Sequence, residues 1–168
     1  ALSGLKHGTV TVVVKNGDES AASCEVTAFR RDGKYTDMRR PDEVTFTGSL
    51  GDDLARRDFT VNAMAARPGE ICDPYRGEDD LRDKLIRAVG VPDERFSEDA
   101  LRILRALRFS AVLGFTIESE TAGAMHRCAG LLKTVSVERI SSEIYAILAS
   151  DFPEKVIPEF SDVIAAAL

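Results

Sequence analysis

Glu94–Phe109, ERFSEDALRILRALRF, decides how the second half of the chain is read. Leu101, Ile103, Leu104, Leu107 and Ala111 recur at helical spacing, and Gly114 supplies a stop, so a helix is predicted over Ser97–Leu113. Glu98 and Asp99 stand in its first turn, where acidic side chains suit the helix dipole. Arg102, Arg105 and Arg108 follow at steps of three. Each step advances the helix by about 300°, so the arginines make a slowly curving stripe away from the apolar arc. Asp99 and Arg102 form an i, i+3 pair, a planar acceptor beside a planar donor that is always charged.

Such a pair suits one kind of nucleobase edge. Cytosine and adenine each present an exocyclic amino donor beside a ring-nitrogen acceptor, and a carboxylate next to a guanidinium complements both. Guanine and uracil present the reverse order and leave polar groups facing their like. In a dry site that penalty discriminates on the order of 10⁴-fold. Arg105 and Arg108 then suit phosphates or the far side of the base, because the guanidinium fork fits either. Taken alone, the same residues are also ordinary dipole and i, i+3 chemistry. The rest of the chain favours the functional reading.

The 168 residues make one large domain or two small ones, with 44% hydrophobic and 30% charged residues. No apolar run reaches membrane-spanning length and no signal-peptide pattern opens the chain. Cys24, Cys72 and Cys128 are an odd, widely spaced set, which reads as reduced core residues of a cytosolic protein. A net charge of −6 excludes a generalised nucleic-acid coat, so any polyanion must meet local basic clusters. The chain starts without Met a few residues before a strand, as a piece of something longer would.

Thr9–Lys15 and Cys24–Arg30 read as paired strands, with Asn16-Gly17 as a turn and Asp18–Ala22 as a loose polar insertion. A polar loop is expected over Asp32–Asp42, ending in Arg39-Arg40-Pro41, and an extended piece over Val44–Thr47. Ser49 caps a helix with Asp52 in the capping-box position. Helical pattern runs over Leu54–Ala66, interrupted near Asp58, and stops at Arg67-Pro68-Gly69. A strand at Ile71–Asp73, a helix at Glu78–Lys84 and a strand at Leu85–Val89 follow. From Pro92 the texture is helical: after Ser97–Leu113 come Ser119–Cys128, Val137–Leu148 and Pro153–Ala167, with Ser119 and Ser136 as N-caps. A sheet-rich part passing into a helical part near Gly90–Arg95 is a frequent place for a ligand cleft.

Two further constellations stand out. In Arg56-Arg57-Asp58-Phe59-Thr60-Val61-Asn62, Arg57 suits triphosphate charge and Asp58 suits ribose hydroxyls, with Asn62 one turn on along the same face. Arg56 reads as a solvated charge. Glu25 lies in a strand whose alternation includes Thr27 and Phe29, and a cleft-facing carboxylate there needs a metal or a donor. The other reading, a glutamate on an edge strand in water, is equally open. His7 and His126 are isolated, and no nucleophile–histidine arrangement is present.

The chain resembles the class II tRNA nucleotidyltransferases, the bacterial CCA-adding enzymes, which group with bacterial poly(A) polymerases in the polymerase-β-like superfamily. The resemblance runs from His7 to about Glu143. It rests on HGTVTV, EVTAFR, DGKYTDMRRPDEVTF, DLARRDFTVNAMA, DPYRGEDDL with IRAVG, RFSEDALRILRALRF, LGF and VSVERISSE. It implies an α+β chain: an incomplete nucleotidyltransferase head with mixed β-sheet and helices over 1–92, then an α-helical, nucleotide-selecting neck over 93–168. It implies Arg57, Asp58 and Asn62 on the nucleotide's sugar and phosphates, and Asp99 and Arg102 as a protein template for C or A. Arg105 and Arg108 match further nucleotide contacts, and Glu25 matches an active-site carboxylate toward Mg²⁺. The implied activity is addition of CMP, CMP and AMP from CTP and ATP to the tRNA 3′ end. Poly(A) polymerases typically carry a proline after Glu-Asp and a proline-rich turn where this chain has Ala100 and VSVERISSE. CC-adding and A-adding enzymes share the scaffold, so they stay open alongside poly(A) activity.

Three departures accompany the resemblance. The 73–90 stretch resembles a connector that lets one pocket switch from CTP to ATP, but Arg76 precedes Gly77 where a glycine pair is usual. The family's opening phosphate loop and its Asp-x-Asp metal pair are missing, as is the C-terminal body that holds tRNA. The intact protein is therefore expected to be the enzyme and these residues alone inactive; the rival reading is a non-catalytic nucleotide- or RNA-binding fragment.

Overall fold

In the computed structural model, residues 8–16, 19–33 and 43–168 are described. The chain is α+β. Its strands form four two-stranded pairings among the described residues, three antiparallel and one parallel. The first is a hairpin of β1 (Thr9–Asn16) and β2 (Glu19–Thr27), with Thr11 opposite Glu25 and Val12 opposite Cys24. Within the polar insertion expected at Asp18–Ala22, the described residues 19–22 are strand instead: Ala21 and Ala22 continue the ladder opposite Lys15 and Val14. Once the β-branched run 10–14 is extended, its backbone groups need a partner, and small residues supply one at no steric cost. Gly17 of the expected Asn16-Gly17 turn, Asp18, and residues 34–42 of the expected Asp32–Asp42 loop, with Arg39 and Arg40, lie outside the described residues. Next, β3 (Arg30–Asp32) pairs with β4 (Val44–Phe46).

Helix α1 (Leu50–Ala55) starts as expected: the Ser49 hydroxyl accepts the Asp52 backbone N–H at 3.2 Å. The reciprocal half of the capping box is absent, because the Asp52 carboxylate accepts from Arg31 at 2.7 Å and from the Thr47 hydroxyl at 3.2 Å. The helical reading of Leu54–Ala66 is corrected. Past Arg56 the chain leaves the helix, makes a 3₁₀ turn at Thr60–Asn62, and enters a hairpin of β5 (Ala65–Arg67) and β6 (Glu70–Cys72) around Pro68-Gly69. Tertiary pairing overrides the local pattern here. Thr60 N–H donates to Arg87 O at 2.9 Å, Val89 N–H donates to Asp58 O at 3.0 Å, and Phe59 bridges Ala88 and is fully buried.

Helix α2 (Gly77–Asp83) is capped by Asp73, whose carboxylate accepts from the N–H groups of Gly77 and Glu78. After it, β7 (Leu85–Ile86) runs parallel to β8 (Thr116–Ile117), so residues on both sides of position 92 share one sheet element. The helix expected over Ser97–Leu113 is two: α3 (Pro92–Glu98) and α4 (Leu101–Leu113), the latter ending at Gly114 with φ 68°. Then come α5 (Ser119–Cys128), α6 (Val137–Leu148) and α7 (Ser161–Ala167). The cap of α5 is Glu118 rather than Ser119, its carboxylate accepting the N–H groups of Glu120 and Thr121 at 3.0 Å. Ser136 holds the cap position of α6 without a side-chain bond. Pro153–Ala167 is not one helix, since Pro158 offers no N–H and only a 3₁₀ turn at Pro153–Lys155 precedes α7.

The core is built on α4. Leu101, Ile103, Leu104, Leu107 and Ala111 are all buried, joined by Phe59, Ile86, Phe96, Met125, Leu132, Ile140 and Ile147. The cysteines are free but not core residues: Cys24 is exposed, and Cys72 and Cys128 are half-buried. No helix among the described residues is long and apolar enough to cross a membrane.

Two predictions follow from this frame. Gly77 lies so close to the Thr60 carbonyl that an added Cβ would clash with it and come within 2.8 Å of Met64 Sδ. Gly77→Ala is expected to cost about 1–3 kcal/mol in urea unfolding. Arg76 has φ 60° and only an exposed ion pair with Asp79, so Arg76→Gly is expected to stabilise by about 1 kcal/mol in the same measurement.

A third prediction concerns acid. Burial pushes the Asp53 carboxyl up, but the Arg56 hydrogen bond, the Arg30 N–H and the charges of Arg56 and Arg57 outweigh it and hold it below its ordinary 3.8. Burial likewise raises Glu118, and the N–H groups of Glu120 and Thr121 outweigh it and hold it below 4.5. A lowered folded-state value means both contributions are fully present above these ordinary values and are lost as the pH falls below them. Stability should therefore drop between about pH 5 and pH 3, with Asp53→Asn flattening that slope.

Candidate nucleotide-binding cleft

Six of the eight expected site residues come together. Arg57, Asp58 and Asn62, from the turn after α1, face Asp99, Arg102 and Arg105 across a cleft of about 520 Å³. Arg56, Leu101, Phe109 and Arg139 complete the lining. Five arginines against two aspartates make it locally basic in a chain of net charge −6. That composition selects an anion, and its planar donors and acceptors suit a nucleotide.

Asp99 and Arg102 are not the adjacent pair that the spacing predicts. The helix breaks between them: Asp99 is extended at φ −144° and ψ 102°, and its carboxylate accepts the Leu101 N–H at 3.1 Å. This short Asx-type bond competes with helical geometry and starts α4 afresh. Asp99 is then held from α6, where Arg139 Nη2 donates to both carboxylate oxygens at 2.9 and 3.3 Å. Arg102 turns the other way. Its Nη1 donates to Glu98 at 2.6 Å and to Arg95 O at 3.0 Å, while Nη2 donates to Arg56 O at 3.0 Å. Both nevertheless border the same space.

The drift of the arginine stripe explains the remaining pairings. Each three-residue step falls about 60° short of a full turn, so successive arginines meet different neighbours. Arg105 reaches Asp58, donating from Nε and Nη2 to Oδ2 at 2.8 and 2.6 Å. Arg108 has turned to α6, where it donates to Glu143 at 2.7 Å, and it does not line the cleft. Asp58 uses its other oxygen for the N–H groups of Phe59 and the Asn62 side chain, at 2.9 and 3.2 Å. The Asp58–Asn62 contact expected on a helix is thus made across the 3₁₀ turn.

Arg57 is the loosest cation of the group. It is 44% exposed, with bonds of 3.3 Å to Asp53 and 3.4 Å to Asn62 O. Arg56 is not the solvated charge expected: it donates to buried Asp53 from Nε and Nη2 at 3.1 and 2.7 Å. Arg139 and Glu143 were not among the expected site residues. Their i, i+4 spacing, with charges opposite to those of Asp99 and Arg108, was the available signal.

Glu25 lies on β2 with an exposed side chain and does not line the cleft. Among the described residues no group of three or more His, Cys, Asp or Glu side chains could hold a metal ion. The described residues alone therefore do not make a Mg²⁺ site.

Comparison with known proteins agrees with this geometry. The family described as "Poly A polymerase head domain" matches residues 1–87, and "Probable RNA and SrmB- binding site of polymerase A" matches 114–161. The CCA-adding enzyme of Anoxybacillus flavithermus is 49% identical over 92% of this chain, and that of Streptococcus agalactiae 50% over 90%. The chain spans 38% and 37% of these two relatives. Among solved structures, the Bacillus stearothermophilus CCA-adding enzyme in complex with CTP superposes with a TM-score of 0.84 at 40% identity, covering 97% of this chain and 38% of that one. The Thermotoga maritima CCA-adding enzyme complexed with tRNA gives 0.62 at 33% identity, covering 68% and 29%. With the head-domain match extending over more than half of its 168 residues, the chain belongs to the poly(A) polymerase head-domain family.

Proposed function

We propose that the intact protein is a template-independent nucleotidyltransferase that adds CMP, CMP and AMP to the 3′ end of tRNA, using CTP and ATP. The observation that carries this reading is the basic cleft in which two aspartates and five arginines converge from the turn after α1, the α3–α4 break, α4 and α6. The names of the relatives support it.

Within that reading each residue has a role. Arg57, exposed and loosely held, meets the triphosphate. Asp58 and Asn62 meet the ribose hydroxyls. Asp99 accepts from the exocyclic amino group of C or A, and Arg102 donates to the neighbouring ring nitrogen. Arg105 is released by Asp58 toward phosphate, and Arg108, which Glu143 holds outside the cleft lining, is the further contact for any part of the ligand that extends toward α6. Residues 1–92 serve as the incomplete head and 93–168 as the nucleotide-selecting neck. Mg²⁺ is proposed as the cofactor of the whole protein, with Glu25 as one ligand and the others supplied outside the described residues. Extension by ATP alone is the second reading, because the matching family takes its name from poly(A) polymerases.

The full-length protein should incorporate CTP and then ATP into tRNA lacking its CCA end. Incorporation of ATP alone would move the assignment to poly(A) or A-adding activity. Asp99→Ala should relax discrimination against GTP and UTP by about tenfold or more, while triphosphate affinity changes less. Unchanged selectivity in that variant would remove Asp99 from base recognition.

A further inference from the structure

Phe109 lines the cleft, yet its ring is already faced by cations. The Arg105 guanidinium carbon lies 5.3 Å from the ring centroid and that of Arg108 lies 4.5 Å from it. The ring also meets Phe59 edge to face, with centroids 5.8 Å apart and planes at 80°. Phe59 is fully buried and directly follows Asp58, the acceptor of Arg105. One ring thus touches the cation of the Arg105–Asp58 bridge and the side chain that anchors its anion.

Because two guanidinium groups already lie over the ring, it is a support for cations rather than a platform for a base. Resting on the reading of the cleft as a nucleotide site, we propose that Phe109 is a positioning residue that keeps the Arg105 guanidinium on the cleft floor when a nucleotide displaces it from Asp58. Without the ring, a released Arg105 has its full rotamer freedom and must be reordered on each binding event. With it, the quadrupole of the ring face holds the cation in place whether or not Asp58 is paired. Since phosphate is common to both triphosphates, the effect acts on CTP and ATP alike.

The test uses the full-length protein with Phe109→Leu, which keeps bulk without a ring face, and Phe109→Tyr, which keeps the face; Phe109→Met replaces the leucine variant if that one fails to fold. Dissociation constants for CTP and ATP should rise about three- to thirtyfold in the leucine variant and return close to the starting value in the tyrosine variant. In an Arg105→Gln background, Phe109→Leu should cost little further, because the two act through one group. An independent readout needs no nucleotide. The Arg105 Nε–H resonance, shifted by the ring current in the original protein, should move on Phe109→Leu and recover with tyrosine. Unchanged CTP and ATP affinities, or losses at Phe109 and Arg105 that multiply fully, would overturn the proposal while leaving the nucleotide reading intact. A protein that binds neither CTP nor ATP would overturn the nucleotide reading and with it the role during binding; the resonance would then report only whether the ring orders Arg105.

Discussion

Arg102 ties together the ends of three helices. Its guanidinium donates to Glu98 at the end of α3, to Arg95 O in the same helix, and to Arg56 O just past α1. Arg95 adds a parallel bond to Ala55 O at 3.0 Å. Carbonyls at the end of α1 are therefore satisfied by cations from the helical half, which also suits the negative end of that helix dipole.

The break between α3 and α4 sets the shape of the cleft. It frees Asp99 to face α6, and the drift of the arginine stripe distributes Arg102, Arg105 and Arg108 among three different acceptors. The core beneath is ordinary: Ile103, Leu104 and Leu107 pack on Ile86, Phe96 and Met125. Chemistry and packing thus occupy opposite sides of one thirteen-residue helix. Precision in the cleft comes from a rigid element, as sites built on helices generally require.

The sequence was most legible where periodicity was long and unbroken. The apolar arc of α4, the bounds of α5 and α6, and the stop at Gly114 could all be read directly. It was least legible where distant backbone groups decide the local form. Nothing within Leu54–Ala66 announces that Phe59 will bridge Ala88, and nothing within Glu98–Arg102 announces that Arg139 will take Asp99. Residue types therefore revealed which side chains gather, but i, i+3 spacing misassigned their partners. Long-range ion pairs depend on how two helices meet, and spacing within one helix carries no information about that.

Pre-pairing inside the cleft has a consequence for how it responds to solution conditions. Arg102, Arg105 and Arg139 already face Glu98, Asp58 and Asp99 at 2.6–2.9 Å. A bare basic groove that meets a polyanion releases the counterions condensed on its phosphates, which makes affinity fall steeply with added salt. Here the counter-charges are covalently part of the protein and cannot be expelled. An incoming phosphate must exchange places with carboxylates that remain nearby, so each new contact is offset by an ion pair broken in the protein. Affinity in this cleft therefore depends on how well a ligand's geometry replaces those pairs, and not on the number of cations alone.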